Sequence, residues 1–165
     1  GDAEDLPFGE NSFDVVFARY LLTHLPNPVS ALREFRRVCR KEGTVVVQEG
    51  DFASTGTWPP LSALGRIMDL YEAVYDTKMG RKTWGLFREA GIEEPQVRAL
   101  VPVETKETVL GQLSILTLEA MRDALLKEGV VTEDEYDTLL EEARKLSDEN
   151  RLVAAHTVYS VWGRP

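Results

Sequence analysis

A short apolar run near the start of the chain, Phe13-Asp14-Val15-Val16-Phe17-Ala18, limits the possible folds more than any other feature. It is nearly unbroken and rich in Val and Phe, which suits a strand buried on both faces, as in a parallel sheet covered by helices. A second such run, Thr44 to Val47, is β-branched and follows Gly43. Between them stand Pro26, Asn27 and Pro28, where Asn27 is a good N-cap and Pro28 a good first helical residue. Val29, Leu32, Phe35, Val38 and Cys39 then recur at helical spacing, which predicts a helix to about Arg40. Strand, helix and strand at this spacing form a βαβ unit with parallel strands and a right-handed crossover. Gly1 to Phe8 reads as a loop that follows a strand, so earlier elements of the same sheet are expected upstream.

The rest of the chain alternates helices and strands. Glu49 to Pro60 reads as a loop, and Leu61 to Tyr75 as an amphipathic helix with Leu64, Ile67, Met68, Tyr71 and Val74 on one face. Arg81 to Ala90 is a helix ended by Gly91, and Pro95 to Pro102 leads a third strand. Glu107 to Glu128 is helical with a break expected near Ser114 to Thr117. Thr132 and Glu135 form a capping box before a stripe of Tyr136, Leu139, Leu140, Ala143 and Leu146. Val153 to Trp162 reads as the closing strand, with His156 inside it in a structural role. The expected organisation is an α/β sheet domain over 1–104 and 151–165, with a helical insertion over 105–150 that acts as a lid or as added packing.

With 165 residues the chain can bury the core of one domain. The formal net charge of -9 disfavours nucleic acid and anionic membrane as partners. The basic cluster Arg36, Arg37, Arg40 and Lys41 fits the positive end of a helix. The one cysteine, Cys39, excludes an internal disulfide, fits a cytoplasmic setting, and reads as a small core residue on that helix. No Cys/His cluster suggests a metal, and no nucleophile elbow or phosphate loop is visible.

Several motifs, taken in order, carry a resemblance. They are Gly1-Asp2-Ala3-Glu4-Asp5-Leu6-Pro7-Phe8, then Asn11-Ser12-Phe13-Asp14-Val15-Val16, then Leu22-Thr23-His24-Leu25. Leu32-Arg33-Glu34-Phe35-Arg36-Arg37-Val38 leads into Gly43-Thr44-Val45-Val46-Val47, and Val158-Tyr159-Ser160-Val161-Trp162-Gly163-Arg164 ends the series. Together they resemble class I S-adenosylmethionine-dependent methyltransferases, closest to the small-molecule enzymes of ubiquinone and menaquinone biosynthesis. The resemblance implies a truncated Rossmann-like methyltransferase sheet, strands four to seven, without the Gly-rich turn and the acidic residue of the leading strands. Lys41-Glu42-Gly43 departs from the family's Pro-Gly-Gly type turn. A dehydrogenase with a similar sheet fits less well, because the Asp2-Ala3 loop and the closing strand follow the methyltransferase pattern.

The resemblance implies S-adenosyl-L-methionine as cofactor and a small-molecule methyl acceptor. Ligands in open α/β sheets sit beyond the carboxyl ends of the strands. By resemblance Asp2 accepts from the adenine amino group and Ala3 donates a backbone N–H to the ring, with Glu4 beside them; the alternative is a plain Asp/Gly turn. Ala18, Arg19 and Tyr20 end the first strand, where a carbonyl suits the cofactor's ammonium and an aromatic face its sulfonium; the alternative is a solvent-facing strand end. His24 is the candidate base, or else a hydrogen-bonding loop histidine. Glu49 is a second candidate base, or a solvated loop residue. Asp51, Phe52, Trp58 and Tyr71 are candidates for the acceptor pocket, with Trp84 less so, or else loop and core residues. In the complete fold the chain is expected to transfer methyl groups. Alone, it is expected to be weak or inactive and to self-associate as a homo-oligomer through the bare edge of its first strand. The alternative is a non-catalytic, self-associating module.

Overall fold

Asn27 and Pro28 act as the sequence predicts. The Asn27 side chain accepts from the Ser30 N–H at 3.2 Å and opens α1 (Pro28–Val38). The computed structural model describes residues 1–60, 63–104, 109–148 and 152–165. Around α1 run β1 (Phe13–Arg19) and β2 (Cys39–Asp51), paired in parallel with Val16 opposite Val45 and Ala18 opposite Val47. The helix is shorter than expected, because Cys39, Arg40 and Lys41 already belong to β2. Cys39 is therefore a buried strand residue rather than a helical one, with its thiol pushed up by burial.

The pairing register skips between Phe13–Cys39 and Val15–Thr44, so residues 40–43 bulge out of the ladder. Gly43 sits there because a Cβ would lie 2.6 Å from the Asp14 carbonyl and 2.7 Å from the Cys39 sulfur. The Lys41-Glu42-Gly43 departure thus falls in a bulge of β2.

After β2 come β3 (Gly56–Trp58), α2 (Leu64–Val74), α3 (Met79–Glu89), β4 (Gln96–Leu100) and β5 (Val103–Glu104). They are followed by α4 (Val109–Lys127), α5 (Glu133–Asp148), β6 (Leu152–Ala154) and β7 (Thr157–Gly163). Gly91, at φ 82, lies just past the end of α3, in the left-handed conformation glycine tolerates. The starts expected at Leu61 and Glu107 and the insertion bounds at 105 and 150 lie outside the described residues, as does the side chain of Leu146.

The chain divides into two units. The first comprises Gly1–Asp51, Lys78–Leu100 and Val158–Pro165. Its sheet has the order β1-β2-β7-β4, with β4 antiparallel to β7. Its core gathers Leu22, Leu32, Phe35, Val45, Val47, Phe87, Ile92 and Val161.

The second unit comprises Phe52–Thr77 and Val101–Thr157. It holds a three-stranded antiparallel sheet, β3-β6-β5, and packs α2, α4 and α5 around Ile67, Leu70, Tyr71, Leu118, Met121, Leu125 and Tyr136. Four expectations change here. The stretch after β2 is not all loop, since Glu49, Gly50 and Asp51 finish β2 and residues 56–58 form β3. Helix α4 runs without a break through 114–117. The expected closing strand is two strands in different sheets, parted at Ala155 and His156, so His156 lies in a connector. The capping box is half made. The Glu135 N–H donates to Thr132 Oγ1 at 3.2 Å, but the Glu135 carboxylate accepts from Arg66 Nε at 2.7 Å instead of returning to the cap.

One expectation fails for a physical reason. β1 is not buried on both faces. Val16 and Ala18 turn into the core, while Val15 is 61% exposed and Phe17 57%. A parallel strand is covered on both faces only where helices lie over each and a strand flanks each side. Among the described residues β1 is the sheet's outer strand and has β2 as its one neighbour.

Candidate functional site

Two neighbouring features meet at the carboxyl end of β1. One is the loop from Asp2 to Phe8. The Glu4 N–H donates to Asp2 Oδ1 at 2.9 Å, an Asx turn that fixes the Asp2 carboxylate. The Asn27 N–H donates to Glu4 Oε1 at 3.1 Å. Glu34 Oε2 accepts from the Leu6 N–H at 3.0 Å, and Arg37 donates to the Phe8 carbonyl at 2.8 Å and the Leu6 carbonyl at 3.1 Å. Glu34 and Arg37 also pair with each other at 2.7 Å. The Arg37 guanidinium, aided by the Leu6 N–H against partial burial, holds the Glu34 carboxyl down to about 2. The sequence marked Arg37 as part of a basic helix end and gave no sign that it fastens this loop. The i, i+3 spacing of Glu34 and Arg37 is the one local signal that could have found the pair.

The other feature is the turn after β1. Tyr20 lies at φ 49, in the left-handed region that non-glycine residues rarely occupy. Its N–H donates to the Gln48 carbonyl at 2.9 Å. Next along β2, Glu49 Oε1 accepts the Leu21 N–H at 2.8 Å and the Leu22 N–H at 2.7 Å. Glu49 is fully buried, and Oε2 has no hydrogen-bond partner among the described residues. Burial pushes its carboxyl up, against the lowering effect of those two amides. Glu49 is thus a buried strand residue bonded to backbone, not a solvated loop group. Burial also raises the Tyr20 phenol, opposed by Arg19, whose guanidinium lies 5.3 Å from the Tyr20 ring.

Between the loop and β1 lies an open, mainly apolar groove of about 640 Å³. Asp2, Ala3, Ala18, Arg19 and Leu21 line its polar end, and Phe13, Val15 and Phe17 its apolar wall. Four of the residues singled out from the sequence, Asp2, Ala3, Ala18 and Arg19, therefore share one concavity. Glu4, Tyr20, His24 and Glu49 do not line it. His24 sits in the 3-10 turn Leu22–His24, where its N–H donates to the Leu21 carbonyl at 3.0 Å. Asp51 is 1% exposed and accepts from Nε and Nη2 of the Arg81 guanidinium, a partner the sequence did not reveal.

Phe52, Trp58 and Tyr71 fall in the second unit. Phe52 packs on His156 with ring centroids 4.2 Å apart and meets Tyr71 edge-on at 6.5 Å. Tyr71 is buried, and Trp58 is 71% exposed on β3. Trp84, in the first unit, donates its indole N–H to the Pro95 carbonyl at 2.9 Å. No cluster of three or more His, Cys, Asp or Glu among the described residues could hold a metal ion. No helix among them is long and apolar enough to cross a membrane.

Residues 1–47 match the methyltransferase domain family. Demethylmenaquinone methyltransferase from Staphylococcus epidermidis is 39% identical over 71 residues, which is 43% of this chain and 27% of that protein. Phosphatidylethanolamine N-methyltransferase from Cereibacter sphaeroides is 35% identical over 71 residues, 43% of this chain and 34% of that protein. The chain thus spans about a third or less of these relatives. In structure, an SAM-dependent methyltransferase from Thermotoga maritima matches with a TM-score of 0.53 at 19% identity, covering 100% of this chain and 62% of that one. Residues 1–47 thus carry the sequence similarity to the methyltransferase domain family, and over its whole length the chain shares its fold with a solved methyltransferase structure.

Proposed function

We propose that this chain takes part in methyl transfer from S-adenosyl-L-methionine to a small-molecule acceptor, and that it contributes the strand-end half of the cofactor site. The observation that carries the reading is the groove that brings the Asp2-Ala3 loop to the end of β1. Its residues fit the cofactor. Asp2 is a carboxylate held in place by an Asx turn beside an apolar wall, which suits an adenine ring with its amino group at the rim. Ala18 and Arg19 stand at a strand end, where a backbone carbonyl suits an ammonium and a guanidinium suits a carboxylate. Bound there, the cofactor would supply an electrophilic methyl group on a sulfonium. The protein's part is to hold and aim the reactants, since in-line displacement depends on positioning.

Acceptor chemistry is assigned more coarsely. His24 is proposed as the base where an acceptor must lose a proton. Phe52 and Tyr71 form with His156 an aromatic group suited to an apolar acceptor, and Trp58 offers a further exposed ring. Asp51 is proposed to act through Arg81, which it holds. The single cysteine supports a cytoplasmic setting.

The groove is open and one wall is bare, so the chain alone should bind weakly and turn over slowly or not at all. The second reading, a self-associating module, is favoured by that same bare strand. The unpaired edge and the exposed Phe13, Val15 and Phe17 are a template for another copy. Equilibrium dialysis with labelled S-adenosylmethionine tests the first reading. Weak, saturable binding that drops several-fold in Asp2→Ala supports it. Micromolar one-to-one binding contradicts the expected weakness, and binding untouched by Asp2→Ala contradicts the site.

A further inference from the structure

The mechanism above leaves the buried carboxyl of Glu49 unused. Glu49 is fully buried at the end of β2, and its Oε2 is orphaned among the described residues. A buried carboxylate is costly unless its hydrogen bonds hold something that matters. Here they hold the turn after β1. Two consecutive residues of β2 take three consecutive amides: the Gln48 carbonyl accepts from Tyr20, and Glu49 Oε1 from Leu21 and Leu22. Gln48 is itself tied to β7, its Nε2 donating to Ser160 Oγ at 2.9 Å. The turn needs such anchoring because Tyr20 occupies a left-handed conformation that non-glycine residues hold only where the surroundings enforce it. The residues on either side of Tyr20, namely Ala18, Arg19 and Leu21, line the groove.

We infer that Glu49 is a positioning residue of the cofactor site: its carboxylate clamps the Leu21 and Leu22 amides and so sets the groove's polar rim. It acts through backbone rather than on the reacting atoms. The inference rests on the cofactor reading for its purpose, but the clamp itself can be tested without any ligand. A single acceptor oxygen suffices for the clamp, so Glu49→Gln should preserve it and Glu49→Leu, similar in size and apolar, should release it.

Amide hydrogen exchange of Leu21 and Leu22 is the first measurement. Both should be protected in the wild type, and free exchange there overturns the clamp with no variant needed. Glu49→Gln should keep both within about threefold, and Glu49→Leu should speed both by on the order of tenfold, the change expected for a lost hydrogen bond. The Val16 and Phe17 amides should hold their rates. Equal acceleration of all four in a variant would mean that Glu49 is merely structural, and would overturn the inference. Titration with S-adenosylhomocysteine is the second measurement. Affinity should fall on the order of tenfold in Glu49→Leu and be restored in Glu49→Gln. Equal affinity in all three proteins would overturn the positioning role. Absence of binding in the wild type would overturn the proposed function instead, leaving the exchange data to decide the clamp.

Discussion

β1 and β2 are neighbours built from similar residues, yet they lead different lives. On one face Val45 and Val47 of β2 are fully buried beside Val16 and Ala18 of β1; on the other, Val15 and Phe17 of β1 face solvent while their ladder partners Thr44 and Val46 of β2 are half-buried. The sequence of each run reads as an inner strand. Their places in the order β1-β2-β7-β4 decide otherwise: β2 has a strand on each side and β1 has one. The residue run therefore sets whether a strand forms, and the sheet order sets whether it is sealed. The unsealed strand is the one that walls the candidate cofactor groove.

The sharpest way to break this contrast is to cut the same side chain in both strands. Val47→Ala should cost about 2 kcal/mol, from lost apolar burial plus a cavity, and Val15→Ala less than about 0.5 kcal/mol. Denaturant unfolding of the two variants reads this directly, and equal costs would mean that β1 is covered in solution. A smaller effect is expected at the helix that joins them, where Asn27→Ala should cost about 1 kcal/mol by removing the α1 cap.

Acid should separate the loop on the β1 side from the clamp on β2, because their carboxyls shift in opposite directions. Glu34 is held down to about 2, so the folded state binds its proton less readily than the unfolded chain. Its stabilisation is present above the ordinary value near 4.5 and is lost as pH falls toward 2. Glu49 is raised, so the folded state binds its proton more readily, and stability drains as pH rises from 4.5 through its elevated value. Thermal melts across pH should show Glu34→Gln flattening the acid limb and Glu49→Gln flattening the fall above 4.5. The smallest effect on stability belongs to Phe17→Lys, an exposed change that should leave the melt unchanged while abolishing the proposed self-association, with sedimentation as the readout. An unaltered oligomer would show that copies do not meet along β1.

Local patterning carried much of the fold. The two strands and helix of the βαβ unit, the Asn27–Pro28 helix start and the Thr132 cap were legible because each rests on residues within a few positions of one another, and the parallel pairing followed from the order of the three elements. What escaped depends on residues far apart. Cys39, Arg40 and Lys41 continue the helical pattern but are drawn into β2 by pairing and a bulge opposite β1. The closing stretch divides because Leu152 to Ala154 pair with β3 and β5, whereas the following strand joins β4. At the site, Asp2, Ala3, Ala18 and Arg19 were named from sequence and share the groove. The burial of Glu49, the hold of Arg81 on Asp51 and the fastening of the loop by Arg37 were not legible. Those contacts join residues about 27 to 31 positions apart, and no local period encodes them.

The account rests on a cofactor site at the carboxyl end of β1, and amide NMR during titration with S-adenosylhomocysteine tests it most directly. Saturable shifts concentrated at residues 2–4 and 18–22, with a midpoint far weaker than micromolar, are the predicted result. Saturation with shifts confined to the second unit, or no shifts at those two segments at millimolar ligand, would contradict it.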